Sequence, residues 1–247
     1  MNIKQYLKDS LRGLLLGYGV SATRAVTSNN PDAITVTLLK RQKANLVIDV
    51  GAHEGEFALS VLRANKTISV LSFEPLPDVF KRLNKTAENF SKWKVYNLAL
   101  GNESADAEIN VSANRTASSL LLPSDKGRGH AGFETVERVK IRIDRLDHVL
   151  SQDNLAPKGN RIYLKLDVQG YELSVLEGAA DLLDSVVACQ VELSLTELYK
   201  GQPSAHEVYS WLMSRGFILY AVSNTLRDAE NGSLQQVDGF FIKNSDV

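Results

Sequence analysis

The chain has almost no cysteine: Cys189 is the only one in 247 residues. That excludes a disulfide framework and fits a reducing compartment, so the cytoplasm is the expected location. Cys189 lies inside an apolar run and reads as a buried strand residue rather than a nucleophile. An excess of one charge is lacking too. The net charge is −1, so no basic surplus points to nucleic acid as a partner. No apolar stretch approaches the ~20 residues that a membrane span needs. The N-terminus is not a good signal peptide, because Asp9 and Arg12 break it up. No His/Cys spacing of the metal-binding kind is present. With 44% apolar and 23% charged residues the composition is that of an ordinary globular protein. The length allows one large α/β domain or two small ones.

What is present is a repeated plan of strand, acid, glycine turn and helix. Residues 46–50 are an apolar run interrupted by Asp49, followed by Gly51 and Gly55 and then the helical-looking 57–62. This is the opening of a nucleotide-type βαβ unit. Glycine lets the backbone approach a ligand, and the helix start offers free N–H groups. The pattern is D-x-G-x-x-x-G. It lacks the G-x-G-x-x-G of a dinucleotide site, and no Gly-Lys-Ser/Thr of a P-loop follows. An acid just before the first glycine suits a cationic or hydroxyl-bearing ligand better than a pyrophosphate. S-adenosylmethionine meets that description: it has a sulfonium, an amino-acid end and a ribose, and no phosphate. A second strand, 70–73, ends in Glu74-Pro75, close to the roughly 20-residue offset at which such folds place a ribose-binding carboxylate.

Further along, 77–89 reads as a helix and 93–98 as a third strand, with Ala99-Leu100-Gly101 at its end as the expected place of the adenine ring. Ala107-Ile109-Val111 and Val139-Ile141-Ile143 alternate with polar residues, the mark of antiparallel strands with one wet face. The polar stretch between them, 113–134, is expected to be a loop over the site, with His130 solvated. Residues 161–172 repeat the opening plan, with Asp167 at the strand end before Gly170. Lys165 and Asp167 share one face of that strand. A fifth strand, 186–193, ends at Glu192. Carboxylates gathered at one sheet edge make a poor core and a plausible active site. Residues 198–203 follow strand five and read as a substrate-side loop.

The first forty or so residues form a separate piece. Ile3, Leu7, Leu11, Leu14 and Leu15 share one helical face, and Lys4, Lys8 and Arg12 another. The plainer expectation is a helix packed on the domain or on a second subunit of a homo-oligomer. The other is peripheral contact with a membrane surface. Asn29-Asn30-Pro31-Asp32 starts a second helix running to about Lys43. The expected division is therefore 1–44 as a helical extension and 45–247 as the main domain.

The residues that carry a resemblance are Val47-Ile48-Asp49-Val50-Gly51-Ala52-His53-Glu54-Gly55, Phe73-Glu74-Pro75, Asn97-Leu98-Ala99-Leu100-Gly101, Ser118-Ser119-Leu120, Leu146-Asp147, Leu164-Lys165-Leu166-Asp167-Val168-Gln169-Gly170-Tyr171-Glu172, Leu176-Glu177-Gly178-Ala179, and the strand ending in Glu192. In this order, over about 45–243, the chain resembles the FkbM family of S-adenosylmethionine-dependent methyltransferases. His53 stands where Asn is frequent in that pattern, and Gln169 where Glu is frequent. The resemblance implies a Rossmann-like class I methyltransferase: α/β, with a seven-stranded, mostly parallel sheet, an antiparallel last strand and helices on both faces. It also implies O-methylation of a sugar in a surface polysaccharide or glycan, or of a secondary-metabolite hydroxyl. The cofactor contacts expected are Asp49, Gly51, Ala52, His53, Gly55, Phe57, Glu74, Pro75, Ala99 and Leu100. The catalytic candidates are Asp167, Glu192 and Lys165. Asp167 leads as the base that takes the hydroxyl proton. A divalent metal held by Asp167 and Glu192 would do the same work by lowering the hydroxyl pKa. Two rival functions remain at this point. One is a nicotinamide-dependent oxidoreductase, which the missing G-x-G-x-x-G disfavours. The other is a non-catalytic binding module, which the intact strand-end acids disfavour.

Overall fold

The computed structural model describes residues 30–152 and 159–244. The basic amphipathic stretch 3–15 lies outside the described residues. The first described helix, α1 (Pro31–Arg41), begins at a good cap. The Asn30 side chain accepts from the Ala33 N–H, and Pro31 fills the first turn, where no N–H is needed. It buries Ile34, Leu38 and Leu39 against the sheet.

The strands are β1 (Leu46–Val50), β2 (Ser69–Phe73), β3 (Trp93–Tyr96), β4 (Ala99–Leu100), β5 (Ala105–Ser112), β6 (Thr135–Asp144), β7 (Ile162–Leu166), β8 (Val186–Ser194), β9 (Phe217–Arg227) and β10 (Leu234–Lys243). Seven form one sheet in the order β3-β2-β1-β7-β8-β10-β9. Its first five members run parallel, and β10 is antiparallel to both β8 and β9. This is the mixed sheet with an antiparallel last strand that the resemblance implies. The order reverses beside β1, so the crevice above β1, β2 and β7 is where a ligand is accommodated.

Helices cover both faces. On one side α5 (Leu146–Gln152), α6 (Glu172–Glu177) and α7 (Ala205–Ser214) bury Val149, Val175 and Leu212 against Ile48, Leu164 and Val191. On the other, α1 is joined by α2 (Glu56–Ala64) and α3 (Pro77–Ala87), which bury Val61 and Leu83 against Val47, Val70 and Tyr163. Strand alternation then has a chemical consequence. The period of two that sends Val47, Val70, Tyr163 and Ala188 into this second core sends Asp49, Ser72, Lys165 and Gln190 to the same face one step later. Asp49 is in register with Ser72 and Lys165, and Lys165 with Gln190, so they form a polar row across four strands.

The alternating strands β5 and β6 pair antiparallel as expected, but in a separate three-stranded sheet. Its third member is β4, parallel to β6. The third strand therefore ends at Tyr96, and Ala99-Leu100 begins the second sheet. Segment 113–134 is packed. It contains a one-turn 3-10 helix, Arg115–Ala117, and the short α4 (Asp125–Arg128). Its Ala117 and Phe133 bury against Leu198 and Tyr199. His130 is half-buried rather than solvated, with Nε2 2.7 Å from Gln235 Oε1. Among the described residues no helix is long and apolar enough to cross a membrane.

Candidate functional site

The turn after β1 sets the floor. Gly51 has φ +74°, and a Cβ placed there would lie 1.8 Å from the Asp167 carbonyl oxygen. Only glycine allows the ends of β1 and β7 to approach so closely. His53, at φ +49°, is also left-handed. Its N–H donates to Glu74 Oε2 at 3.0 Å, while the Leu76 N–H donates to Oε1 at 2.9 Å. Burial raises the Glu74 pKa to about 7 against the pull of these two donors.

A cleft of about 730 Å³, its open mouth included, lies above this edge. Of the expected cofactor contacts, Gly51, His53, Glu74, Pro75, Ala99 and Leu100 line it, with Asp167 on the β7 side. The other four lie elsewhere. Asp49 is fully buried beneath the turn, where Oδ2 accepts from the Ser72 hydroxyl at 3.1 Å and Oδ1 lies 3.2 Å from Lys165 Nζ. Ala52 is buried in the core, its N–H bound to the Phe73 carbonyl. Gly55 makes room for Trp93, whose ring a Cβ would meet at 2.5 Å. Phe57 stacks on Tyr163, and the Lys165 ammonium lies 5.7 Å from its ring centre.

Lys165 does not line the cleft either. It is 7% exposed and donates to the Gly51 carbonyl at 2.9 Å, with Asp167 Oδ2 at 3.7 Å. Burial works against its charge, but Asp49 and then Asp167 outweigh it and hold its pKa above the ordinary value. Lys165 is thus a tie between the cofactor-side turn and the acid. Burial raises the pKa of Asp49 in spite of Lys165.

Asp167 is the accessible acid: its side chain is 44% exposed. Glu192 is buried, and desolvation, with Asp167, Glu172 and Asp238 adding to it, pushes its pKa well above the ordinary range. Gln169 joins the two, donating from Nε2 to Asp167 Oδ1 at 2.8 Å and to Glu192 Oε2 at 3.0 Å. Tyr199 donates to Gln169 Oε1 at 2.8 Å, which connects the expected substrate-side loop to the acids.

A metal ion does not fit the Asp167–Glu192 pair. Both carboxylates are already turned to an amide N–H, and among the described residues no group of three or more His, Cys, Asp or Glu is arranged to hold one.

Glu172 was read as part of the motif but given no role. It accepts from the Val168 and Gly170 N–H groups at 3.1 and 3.2 Å and so shapes the turn that carries Gln169. Burial raises its pKa to about 7. Its position in the first turn of a helix after Gly170 was the available signal. For Gln169 the signal was only that it stands where Glu is frequent in the family pattern; its role as a hub was not readable, since its partners Glu192 and Tyr199 are remote in sequence.

The fold and the cleft define a Rossmann-like α/β protein of the class I methyltransferase type. The chain belongs to the FkbM methyltransferase family: the model of the methyltransferase FkbM domain matches residues 49–219. Methyltransferase 1 of Beauveria bassiana is 27% identical over 160 residues, 58% of this chain and 63% of that protein. The hexuronic acid methyltransferase AglP of Haloferax volcanii is 29% identical over 168 residues, 66% of this chain and 61% of that protein. The chain spans about six tenths of the length of these curated relatives. A crystal structure of methyltransferase FkbM from Methylobacillus flagellatus superposes with TM-score 0.48 at 13% identity, covering 79% of this chain and 43% of that one.

Proposed function

We propose that this chain transfers a methyl group from S-adenosylmethionine to a hydroxyl of a sugar or comparable small acceptor, in the cytoplasm. The observation that carries the reading is that a single cleft has Glu74 at the end of β2 and Asp167 at the end of β7. The cleft suits the donor molecule. Each Glu74 oxygen takes one N–H and keeps lone-pair capacity for a ribose hydroxyl. Leu98, Ala99, Leu100 and Leu120 offer apolar walls for an adenine. The family supports methyl transfer, and the relationship to a hexuronic acid methyltransferase supports a sugar as acceptor.

S-adenosylmethionine supplies an electrophilic methyl group on a sulfonium. Glu74 holds the ribose, and Lys165 fixes the Gly51 turn through its carbonyl. As the acceptor oxygen forms its bond to the methyl carbon and the carbon–sulfur bond breaks, Asp167 takes the hydroxyl proton. The residues around it act mainly by holding the oxygen in line.

Calorimetric titration with S-adenosylhomocysteine and, separately, with NAD tests the reading. Saturable heat with the first and none with the second is expected. Binding of NAD instead would overturn it in favour of an oxidoreductase.

A further inference from the structure

The Gln169 side chain is held in one orientation. Its two amide hydrogens point to Asp167 Oδ1 and Glu192 Oε2, at N···O distances of 2.8 and 3.0 Å. Its oxygen must then accept. Tyr199 OH lies 2.8 Å from it and 2.9 Å from the Ala117 carbonyl, and has one proton to give. The Ala117 carbonyl has the Ser112 hydroxyl at 3.0 Å as a further donor, and the Tyr199–Gln169 contact is the shorter of the two that Tyr199 makes, so Tyr199 is taken as the donor to Gln169 Oε1. The backbone is pinned as well: φ is +54°, and the Ser119 hydroxyl donates to the Gln169 carbonyl at 2.7 Å. A second amide, Gln236 Nε2, donates to Glu192 Oε2 at 2.9 Å.

We propose that the Gln169 amide nitrogen takes the place of a bridging divalent cation between Asp167 and Glu192, so that this acid pair works without a metal ion. An amide NH₂ offers two carboxylates what a small cation would offer, a positive pole between them. It does so at ordinary hydrogen-bond distances, longer than the roughly 2.0–2.6 Å of an oxygen–metal contact. Asp167 Oδ1 is used in this way, while Oδ2 lies 3.7 Å from Lys165 Nζ on a side chain that is 44% exposed. Gln169 is therefore a positioning residue for Asp167. This role rests on the methyl-transfer reading; the exclusion of a cation does not.

Gln169→Glu keeps the shape and exchanges the donor for an acceptor, so that three carboxylates converge. The test is a Mn²⁺ titration of the full chain, followed by calorimetry and by electron paramagnetic resonance of the free ion. Wild type should show no saturable uptake. The variant should take up Mn²⁺ saturably, with an affinity at least about tenfold above the weakest that the wild-type titration would detect, and Glu192→Gln added to it should abolish the gain. Saturable wild-type uptake that Asp167→Asn removes would overturn the proposal, and so would a folded Gln169→Glu protein that takes up no more Mn²⁺ than wild type. If that variant does not fold, the wild-type titration decides alone. S-adenosylhomocysteine is titrated in parallel. Its failure to bind would sink the methyl-transfer reading while the Mn²⁺ result stood on its own.

Discussion

Gly51 and Asp167 are pressed together at the top of the sheet: the Gly51 Cα faces the Asp167 carbonyl so closely that a methyl group would lie 1.8 Å from its oxygen. The turn expected to cradle the cofactor and the acid expected to receive the proton are thereby held at one mutual distance. Gly51→Ala should destabilise the protein by at least about 2 kcal/mol, through left-handed strain plus overpacking. Gly201 is the control. It has the same φ of +74° but nothing within 4 Å of where an added methyl would sit, so Gly201→Ala should cost only about 1 kcal/mol. Urea denaturation of both compares them; equal losses would show that the Asp167 contact is without consequence.

Glu74→Ala should weaken S-adenosylhomocysteine binding by about 1.5–3 kcal/mol, the scale of charge-assisted hydrogen bonds. Calorimetry measures it. An unchanged affinity would remove Glu74 from the ribose site.

The raised pKa of Glu74 adds a pH signature. Its folded value of about 7 lies above the ordinary 4.5, so the folded protein binds this proton more tightly than the unfolded chain. Stability from this group is complete below the ordinary value and is lost as the pH rises through the folded one. The proposed ribose contact has the opposite sign, because ribose hydroxyls would donate to the ionised form. S-adenosylhomocysteine affinity should rise up to about tenfold between about pH 6 and about pH 8. Glu74→Gln should flatten both profiles. A variant that keeps the wild-type rise would assign the titration to another group.

Asp167→Asn keeps the shape and removes the charge. Cofactor affinity should change little, while turnover falls by about 10²–10⁴, the usual worth of a general base. A sugar-acceptor screen with labelled methyl donor supplies the assay. Near-normal turnover would move the role of base to Glu192.

The fold was legible where its signals are local. The strand–acid–glycine–helix plan around Asp49 and again around Asp167 is written in adjacent residues, and both units form as read. Glu74 and Asp167 were legible as edge acids for the same reason. Asp49 was not legible as a buried residue, because its partner Lys165 arrives from a strand 116 positions away that pairs only in the folded sheet. Gly55 looked like a ligand turn because its packing against Trp93 is equally non-local. The second sheet was half legible: β5 and β6 alternate visibly, but β4 has two residues and no period to read. Segment 113–134 looked like a polar loop because the partners that hold it, Leu198, Tyr199 and Gln235, are remote in sequence.

The position of β10 bears on the order in which the chain is made. Among the described strands this one comes last in sequence yet lies between β8 and β9, and it is the partner of both. Until residues 234–243 have been synthesised, β9 has no neighbour in the sheet and β8 has an open flank. Gln236, which donates to Glu192, comes from the same strand. A ribosome-bound chain that stops short of Leu234 thus lacks both the β8–β10–β9 pairing and one of the two amides that hold the buried acid, and the candidate site is completed only once β10 is made.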